Sequence, residues 1–308
     1  MRFGLVLLVS SVLLVFHAGC GTQHSGFNQP PLKQNPPNAP EESQRRDNPQ
    51  SPDTTQFAAD VYENLHAFAS HCSDFHCVLQ QNLYPEPIHF YIPSNLQADN
   101  RVLVLFYFHG WWTDANSSPF QGVRGDFRSF SEMSASNSII IVPESRGQNT
   151  TYKDYFTNST KSDYFFRQQI DVLKKTLGRD AKLSFGLSGH SGAYNTLDRI
   201  GTWRIEGTLD SLKNLEAFIL LDSLYGYRKS FVELASLICS DASGRFYVAL
   251  NPDDGQKEKL ANNRRLARQI ESISGCNDES FRYKEDSSTW HLDFAKNHLP
   301  RALSLLKP

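Results

Sequence analysis

The chain contains 308 residues, of which 39% are hydrophobic and 12% aromatic, so it is long and apolar enough for one large α/β domain or two small ones. Its formal net charge is -2. Basic clusters are limited to the short pairs Arg45-Arg46 and Arg264-Arg265. This composition argues against a nucleic-acid-binding protein, and we expect no nucleic-acid partner.

The N-terminus has the pattern of a targeting segment. Arg2 precedes an apolar run at Gly4–Phe16 that is short for a membrane span. The run leads to the residues HAGC, which end at Cys20 and whose AGC resembles the lipobox of bacterial lipoproteins, although His replaces the usual Leu three positions before the Cys. The resemblance implies a signal peptide at residues 1–19 and a lipidated Cys20. The alternative is an ordinary secretory signal cleaved near Ala18.

The residues after the signal predict how the protein is held in the cell. Residues 20–55 are rich in Pro, Gln, Asn and Ser and have no apolar periodicity, which predicts a disordered tether. Two or three acyl chains on Cys20 would anchor the protein stably to a membrane. Because Gly21 rather than Asp follows the Cys, we expect an exported protein at the outer membrane, facing the periplasm or the cell surface.

The cysteines fit an oxidising compartment. With Cys20 lipidated, Cys72, Cys77, Cys239 and Cys276 remain as an even set. Sequence alone permits three pairings, of which we expect Cys72–Cys77 and Cys239–Cys276. A histidine precedes each of the first two of these cysteines and would also suit a metal site. Since no second ligand pair stands at metal-site spacing, disulfides are favoured and no metal is expected.

The rest of the chain alternates between apolar runs and amphipathic segments. Periodicity and caps predict helices at Gln56–His71, Val78–Tyr84, Asp163–Leu177, Tyr194–Ile200 and Gln256–Ser272, and from Asp293 onward. Apolar runs predict strands at Ile88–Pro93, Arg101–Phe108, Ser138–Val142, Leu183–Leu187, Leu215–Leu221, Arg245–Leu250 and Phe281–Glu285. This alternation predicts an α/β fold with a mostly parallel, doubly wound sheet flanked by helices.

A sharp turn joins the strand at Leu183–Leu187 to the helix that follows it. Ser191 lies at the apex of this turn, in the pattern Gly-x-Ser-x-Ala. A serine on a strained strand-to-helix turn projects its hydroxyl above the sheet, and the residues two before and two after it must be small. Gly189 and Ala193 meet that requirement. The pattern is typical of the nucleophile elbow of serine hydrolases.

Three motifs together resemble the α/β-hydrolase fold over Ile88–Pro308: His109-Gly110 after an early strand, the elbow, and a late His before a C-terminal helix. The resemblance implies a hydrolase domain at residues 56–308 that includes an N-terminal helical extension. In this fold the catalytic residues follow the chain order Ser, acid, His.

The base must follow the acid, which leaves two histidines. His291 is predicted to lie in the loop between the last strand and the last helix, where the base belongs, and is favoured. His298 is predicted to lie inside the helix and to serve packing. His190, beside the nucleophile, is expected to be structural.

The acid is Asp222 or Asp254. Asp222 ends an apolar strand, so its carboxylate would be partly buried and would need a paired donor. Asp253 and Asp254 belong to a Pro-Asp-Asp-Gly turn, where Asp is common for conformational reasons. We favour Asp222 and retain Asp254 as the alternative acid.

An oxyanion hole would need two backbone N–H groups, expected at Gly192 and Trp111. Trp111 and Trp112 would alternatively wall an acyl pocket or fill the core. Two insertions, Asp114–Asn137 and Arg146–Lys161, would form a cap. Their aromatic residues suggest an apolar or sugar-bearing acyl substrate, or a lid that packs on itself: Phe120, Phe127, Phe130, Tyr152, Tyr155 and Phe156.

These residues predict an exported serine hydrolase that cleaves an ester or an amide bond through Ser191, His291 and Asp222 and an acyl-enzyme. Its partner would be a small-molecule or cell-envelope acyl substrate, besides the membrane that holds its anchor. No phosphate-binding loop is seen and no cofactor is expected. The alternatives are a non-catalytic binding lipoprotein with this fold and an acyltransferase with the same triad.

Overall fold

The computed structural model describes residues 54–306 except 82, 83, 85, 98, 99, 111–126, 128, 129, 131, 133–135, 146–151 and 154. Its strands are β1 (His71–Ser73), β2 (His76–Leu79), β3 (Ile88–Tyr91), β4 (Val102–Phe108), β5 (Ser138–Pro143), β6 (Leu183–His190), β7 (Leu215–Leu221), β8 (Arg245–Leu250) and β9 (Phe281–Glu285). Its helices are α1 (Thr54–His66), α2 (Ser159–Leu177), α3 (Tyr194–Ile205), α4 (Lys229–Cys239), α5 (Lys257–Glu271) and α6 (Phe294–Ser304). Short 3-10 turns lie at Ser191–Ala193, Asp210–Leu212 and His291–Asp293.

The described strands form a sheet in the order β1-β2-β3-β5-β4-β6-β7-β8-β9. The strands from β4 to β9 are parallel, with β5 on one side of β4 and β6 to β9 on the other. At the β5 edge, β3, β2 and β1 follow in antiparallel pairs. Every residue of β4, β5 and β6 is buried, because helices cover both faces of a parallel sheet. The mostly parallel sheet predicted from the apolar runs is confirmed.

Alternate residues of the central strands point to opposite faces and join two separate cores. In β4, Val104 and Phe106 pack in the core that α1 to α5 complete. Leu105 and Tyr107 pack in the other core, against Phe294 and further residues of α6. Helices therefore cover both faces, as a doubly wound sheet requires, and the carboxyl ends of the parallel strands meet at one edge.

The structure corrects the prediction of a short helix at Val78–Tyr84. β2 ends at Leu79 and pairs with β3, and β1 and β2 form a hairpin. Both turn residues of this hairpin, Asp74 and Phe75, have positive φ, 47° and 58°, as two-residue hairpin turns of type I′ require. Burial alternates along β2, but over so few residues that the sequence pattern did not separate a strand from a helix. Helix α4 was also absent from the predicted elements.

Two disulfides pair the four remaining cysteines as the sequence predicted. Cys72–Cys77 links the paired residues of β1 and β2, and Cys239–Cys276 links the end of α4 to the segment after α5. Within the residues that the structure describes, no helix is both long and apolar enough to span a bilayer. Cys20 and the predicted signal peptide lie outside the described residues.

Candidate active site

The elbow at the end of β6 has the geometry that its small residues predict. Ser191 adopts φ of 55°, a left-handed conformation that is rare for residues other than glycine, and a 3-10 turn leads from it into α3. A Cβ at Gly189 would lie 2.6 Å from a methyl carbon of Leu197, so a larger residue there would force that side chain to move. A Cβ at Gly110 would lie 2.5 Å from the Cβ of Ser191. The end of β4 thus approaches the serine closely.

The imidazole of His291 lies between Ser191 and Asp222. Its Nε2 is 3.1 Å from the Ser191 hydroxyl, and its Nδ1 contacts Asp222 Oδ2. Because an ionised carboxylate can only accept, the ring proton lies on Nδ1 and leaves Nε2 free to accept the serine O–H. The structure therefore brings together the three residues that the sequence assigned to the triad, in the arrangement that proton transfer requires.

Asp222 lies at the end of β7, and its carboxylate is buried and hydrogen-bonded. Its side chain has no solvent exposure, and Oδ1 accepts from the Asn251 N–H at 2.9 Å and from Lys259 Nζ at 2.6 Å. Burial alone would raise the pKa of Asp222, but hydrogen bonds from His291 and Lys259 outweigh it and hold the pKa below its usual value. Asp222 therefore stays ionised at neutral pH.

Asp254, the alternative acid, is oriented by other groups. Its carboxylate accepts from the backbone N–H of Gln256 at 2.9 Å and from Lys259 Nζ. Lys259 thus lies between Asp254 and Asp222, and the hydrogen bond to His291 comes from Asp222. This arrangement favours Asp222 as the acid and makes Asp254 a partner of the lysine.

The two other histidines that the sequence singled out contact different groups. His298 is fully buried in α6, between Tyr247 and Asp286. His190 lies beside the triad, and its Nε2 donates to the backbone carbonyl of His291 at 2.8 Å. Burial lowers the pKa of His190 to about 3, so its ring is neutral. His190 therefore holds the backbone that carries the candidate base.

The predicted oxyanion hole is only partly described. Gly192 follows Ser191 in the first turn of a helical segment, where N–H groups have no partner within the helix and are available to an anion. Trp111, expected to supply the second N–H, lies outside the described residues, as do Trp112 and Phe120. Among the residues described, no cluster of His, Cys, Asp or Glu side chains is placed to hold a metal ion.

A cleft of about 670 Å³ opens beside Ser191 and His291. Trp290, immediately before the candidate base, is 68% exposed, and Leu292, immediately after it, is 49% exposed. Further described residues along the cleft are Tyr194, Asn195, Tyr225, Asp253 and Gln256. The mixture of apolar rings and polar groups suits a ligand with an apolar part and a polar part.

The aromatic residues of the two insertions have a structural role where they are described. Phe127 and Phe130 are buried in the core on the α6 side of the sheet, and Tyr152, Tyr155 and Phe156 are buried in the core on the opposite side. For these five residues, burial favours the packing alternative over contact with a substrate. Trp290, by contrast, is an exposed aromatic side chain that lines the cleft.

Two further residues near the triad were not predicted from the sequence. Lys259 has no exposed side-chain surface although it carries a charge. The burial pattern of α5 offers a signal that could have revealed it, because Lys259 and Asn263 fall on the same helix face as Leu266 and Ile270. Tyr225 lies in the loop after β7, and its phenol hydrogen bonds with Ser191. No sequence pattern marks that tyrosine.

Comparison with known proteins supports the architecture. A scan against protein-family models found no match, and neither did a search of curated proteins. A mutant of the feruloyl esterase module from Clostridium thermocellum, complexed with sinapinate, aligns with TM-score 0.50 and 11% identity over 76% of this chain and 89% of that one. A thermostable carboxylesterase cloned from a metagenomic library aligns with TM-score 0.49 and 12% identity over 83% and 97%. The sheet order, the elbow and the similarity to the feruloyl esterase module define an α/β-hydrolase fold.

Proposed function

We propose that this protein is a serine esterase whose nucleophile, base and acid are Ser191, His291 and Asp222. The observation that carries the proposal is the 3.1 Å contact between Ser191 Oγ and His291 Nε2, with Asp222 on the opposite ring nitrogen. The module that aligns with this chain is a feruloyl esterase, which supports ester cleavage ahead of other reactions of this fold.

The chemistry follows from this geometry. His291 accepts the proton as Ser191 attacks the ester carbonyl, and Asp222 stabilises the resulting imidazolium. The N–H of Gly192 donates to the developing oxyanion. His291 then returns the proton to the leaving alcohol and leaves an acyl-enzyme on Ser191. Water, activated by the same imidazole, releases the acid.

The cleft favours an ester with a flat, apolar acyl group. Trp290 and Leu292 expose apolar surface on either side of the base. An aromatic ring can stack on an exposed indole in an offset or edge-to-face arrangement. The aligned feruloyl esterase module was solved with sinapinate, an aromatic acid. We therefore propose esters of aromatic acids ahead of aliphatic esters as substrates.

The protein is further proposed to be exported and held in the cell envelope through lipid on Cys20. Two disulfides support an oxidising compartment. Cys20→Ser should release a soluble or unprocessed form from the membrane fraction. A Cys20→Ser protein of mature size that still sediments with membranes would contradict the anchor and leave the esterase proposal intact.

The test of activity combines a covalent probe with a substrate panel. A fluorophosphonate should add once to the wild-type protein and not to Ser191→Ala, as intact-mass spectrometry would show. The wild type should hydrolyse aromatic esters, and Ser191→Ala should lose about 10⁶-fold in kcat. Transfer of the acyl group to an added alcohol in preference to water would identify an acyltransferase. If the wild type shows neither labelling nor turnover, the non-catalytic binding lipoprotein becomes the favoured alternative.

A further inference from the structure

A buried lysine lies behind the acid of the candidate triad. Lys259, in the first turn of α5, has a side chain with no solvent exposure. Burial of an ammonium group away from water is costly unless the charge is paired. The proposed ester chemistry does not itself require this cation, so its position beside the acid needs a separate explanation.

The contacts of Lys259 place it in a row of charged groups. Its Nζ donates to Asp222 Oδ1 at 2.6 Å and also to Asp254 Oδ2. Asp222 contacts His291 through the opposite oxygen, Oδ2. From the loop to the cleft, the order is therefore Asp254, Lys259, Asp222, His291, and the ionised groups alternate in sign when the imidazole is protonated.

We propose that Lys259 is a positioning residue for Asp222 and that Asp254 supplies the counter-charge which keeps the triad acid effectively negative. This inference rests on the proposed role of His291 and Asp222 as base and acid. It goes beyond that role because it assigns a function to two residues outside the triad.

The positioning part follows from how Asp222 is held. A carboxylate can rotate about its terminal bond, and rotation would break the contact with His291. Lys259 Nζ and the Asn251 N–H both donate to Oδ1. Two donors on one oxygen direct the other oxygen toward the imidazole. Hydrogen bonds that involve an ionised partner are among the stronger ones.

The electrostatic part follows from the charges. Lys259 alone would cancel the negative charge with which Asp222 stabilises the imidazolium. Asp254 offsets the lysine, so the three groups keep one net negative charge. Burial lowers the pKa of Lys259, but hydrogen bonds to Asp222 and Asp254 raise it more, so the ammonium is retained. The row therefore becomes neutral when His291 takes the proton from Ser191.

Other polar groups face this row from the neighbouring elements. His190 and His109 lie at the ends of β6 and β4, and the pKa of His190 is lowered by burial and then by the neighbouring His291. The phenol of Tyr225 lies below Lys259 Nζ, whose distance to the ring centre is 5.4 Å. Asp253 lines the cleft. None of these groups is itself substituted in the variants below. Lys259→Met also removes the contact with the Tyr225 ring, and the double variant shares that loss.

The test compares Lys259→Met, Asp254→Asn and the double variant with the wild type. Methionine keeps the length of the apolar stem and removes the charge. The first readout is the titration midpoint of the His291 imidazole followed by NMR and assigned with His291→Gln. The second is the pH dependence of kcat/KM for an aromatic ester, with kcat and KM measured separately.

The midpoints should separate by charge. Removal of the cation favours imidazolium and should raise the midpoint by roughly one pH unit, whereas removal of the Asp254 anion should lower it. The double variant has the wild-type net charge and should return near the wild-type midpoint. Its kcat should stay about tenfold low, with KM unchanged, because the hydrogen bond to Asp222 is still missing.

The double variant also guards against misfolding, because Lys259→Met leaves two neighbouring carboxylates without their cation. Equal midpoints for Asp254→Asn and the double variant, or a reversed order, would overturn the proposal. A loss of thermal stability with unchanged midpoints would show a purely structural lysine and would also overturn it. The NMR titration needs no turnover. It therefore tests the row of charges even if the wild type hydrolyses no ester.

Discussion

Two histidines in this protein have the same kinds of hydrogen-bond partner but differ in solvent exposure and in the geometry of the hydroxyl that they contact. His291 lies between the carboxylate of Asp222 and the hydroxyl of Ser191. His298 lies between the carboxylate of Asp286 and the hydroxyl of Tyr247, at 3.0 Å from each. We call these the cleft network and the buried network. A carboxylate, an imidazole and a hydroxyl in a row therefore do not by themselves define an active site.

Access and geometry separate the two networks. The side chain of His291 is 28% exposed and borders the cleft, whereas that of His298 has no exposure. The hydroxyl of the cleft network belongs to a serine in a left-handed conformation. That of the buried network belongs to a phenol, and burial raises the pKa of Tyr247 to about 12. Only the cleft network can present a nucleophile to a substrate.

The largest expected difference between the networks is in turnover. His291→Ala should reduce kcat by about 10⁶-fold, because without a base the serine hydroxyl is a poor nucleophile. His298→Ala should leave kcat within about tenfold of the wild type and lower the free energy of unfolding by about 1–3 kcal/mol, because Asp286 and Tyr247 lose a buried partner. Steady-state kinetics and chemical denaturation measure the two effects. The opposite assignment would follow if His298→Ala abolished turnover in a folded protein.

A smaller effect is expected from the two carboxylates. Asp222→Asn keeps the shape of the acid but offers an N–H to Nδ1, which selects the wrong tautomer of His291, so kcat should fall by about 10⁴-fold. Asp286→Asn is the matched substitution in the buried network, and its kcat should stay within about tenfold of the wild type. Equal losses in the two variants would show that the comparison between the networks is false.

Most of the sheet, and the positions of Ser191 and Asp222 at strand ends, could be located from the sequence because they depend on local patterns. The runs at Leu215–Leu221 and Arg245–Leu250 have the bounds that the structure gives to β7 and β8. A strand buried on both faces is apolar throughout, so its end, and the Asp that follows it, can be located from sequence. The position of Ser191 likewise follows from the small residues around it.

Features that depend on contacts distant in the sequence could not be found in this way. The role of Lys259 requires the pairing of β7 with β8 and the docking of α5, which bring residues 222, 254 and 259 together. The choice between Asp222 and Asp254 has the same origin, because both follow parallel strands. The partners of His298 come from β8 and the loop after β9. Hydrophobic periodicity does not indicate which residues distant in the sequence come into contact.

The smallest predicted effect concerns the pH dependence of stability and isolates the buried network. Burial lowers the pKa of His298 below its ordinary value despite the nearby carboxylate of Asp286. The unfolded chain therefore binds a proton near pH 6.5 that the folded chain does not, and stability should fall as the pH drops below that value. One such group contributes a slope of at most about 1.4 kcal/mol per pH unit.

His298→Gln should remove this slope, and chemical denaturation between pH 7.5 and pH 5 would measure it. Asp286 provides a control in a different pH window. Hydrogen bonds from Ser288 and Thr289 hold the pKa of Asp286 below its usual value, so its contribution is present above about pH 4 and is lost as the pH falls further. Asp286→Asn should accordingly lower stability above about pH 4 and remove the loss of stability that the wild type shows as the pH falls below that value. An unchanged slope between pH 7.5 and pH 5 in His298→Gln would mean that His298 is protonated in the folded protein. The buried network would then carry an ion pair between His298 and Asp286 in that pH range.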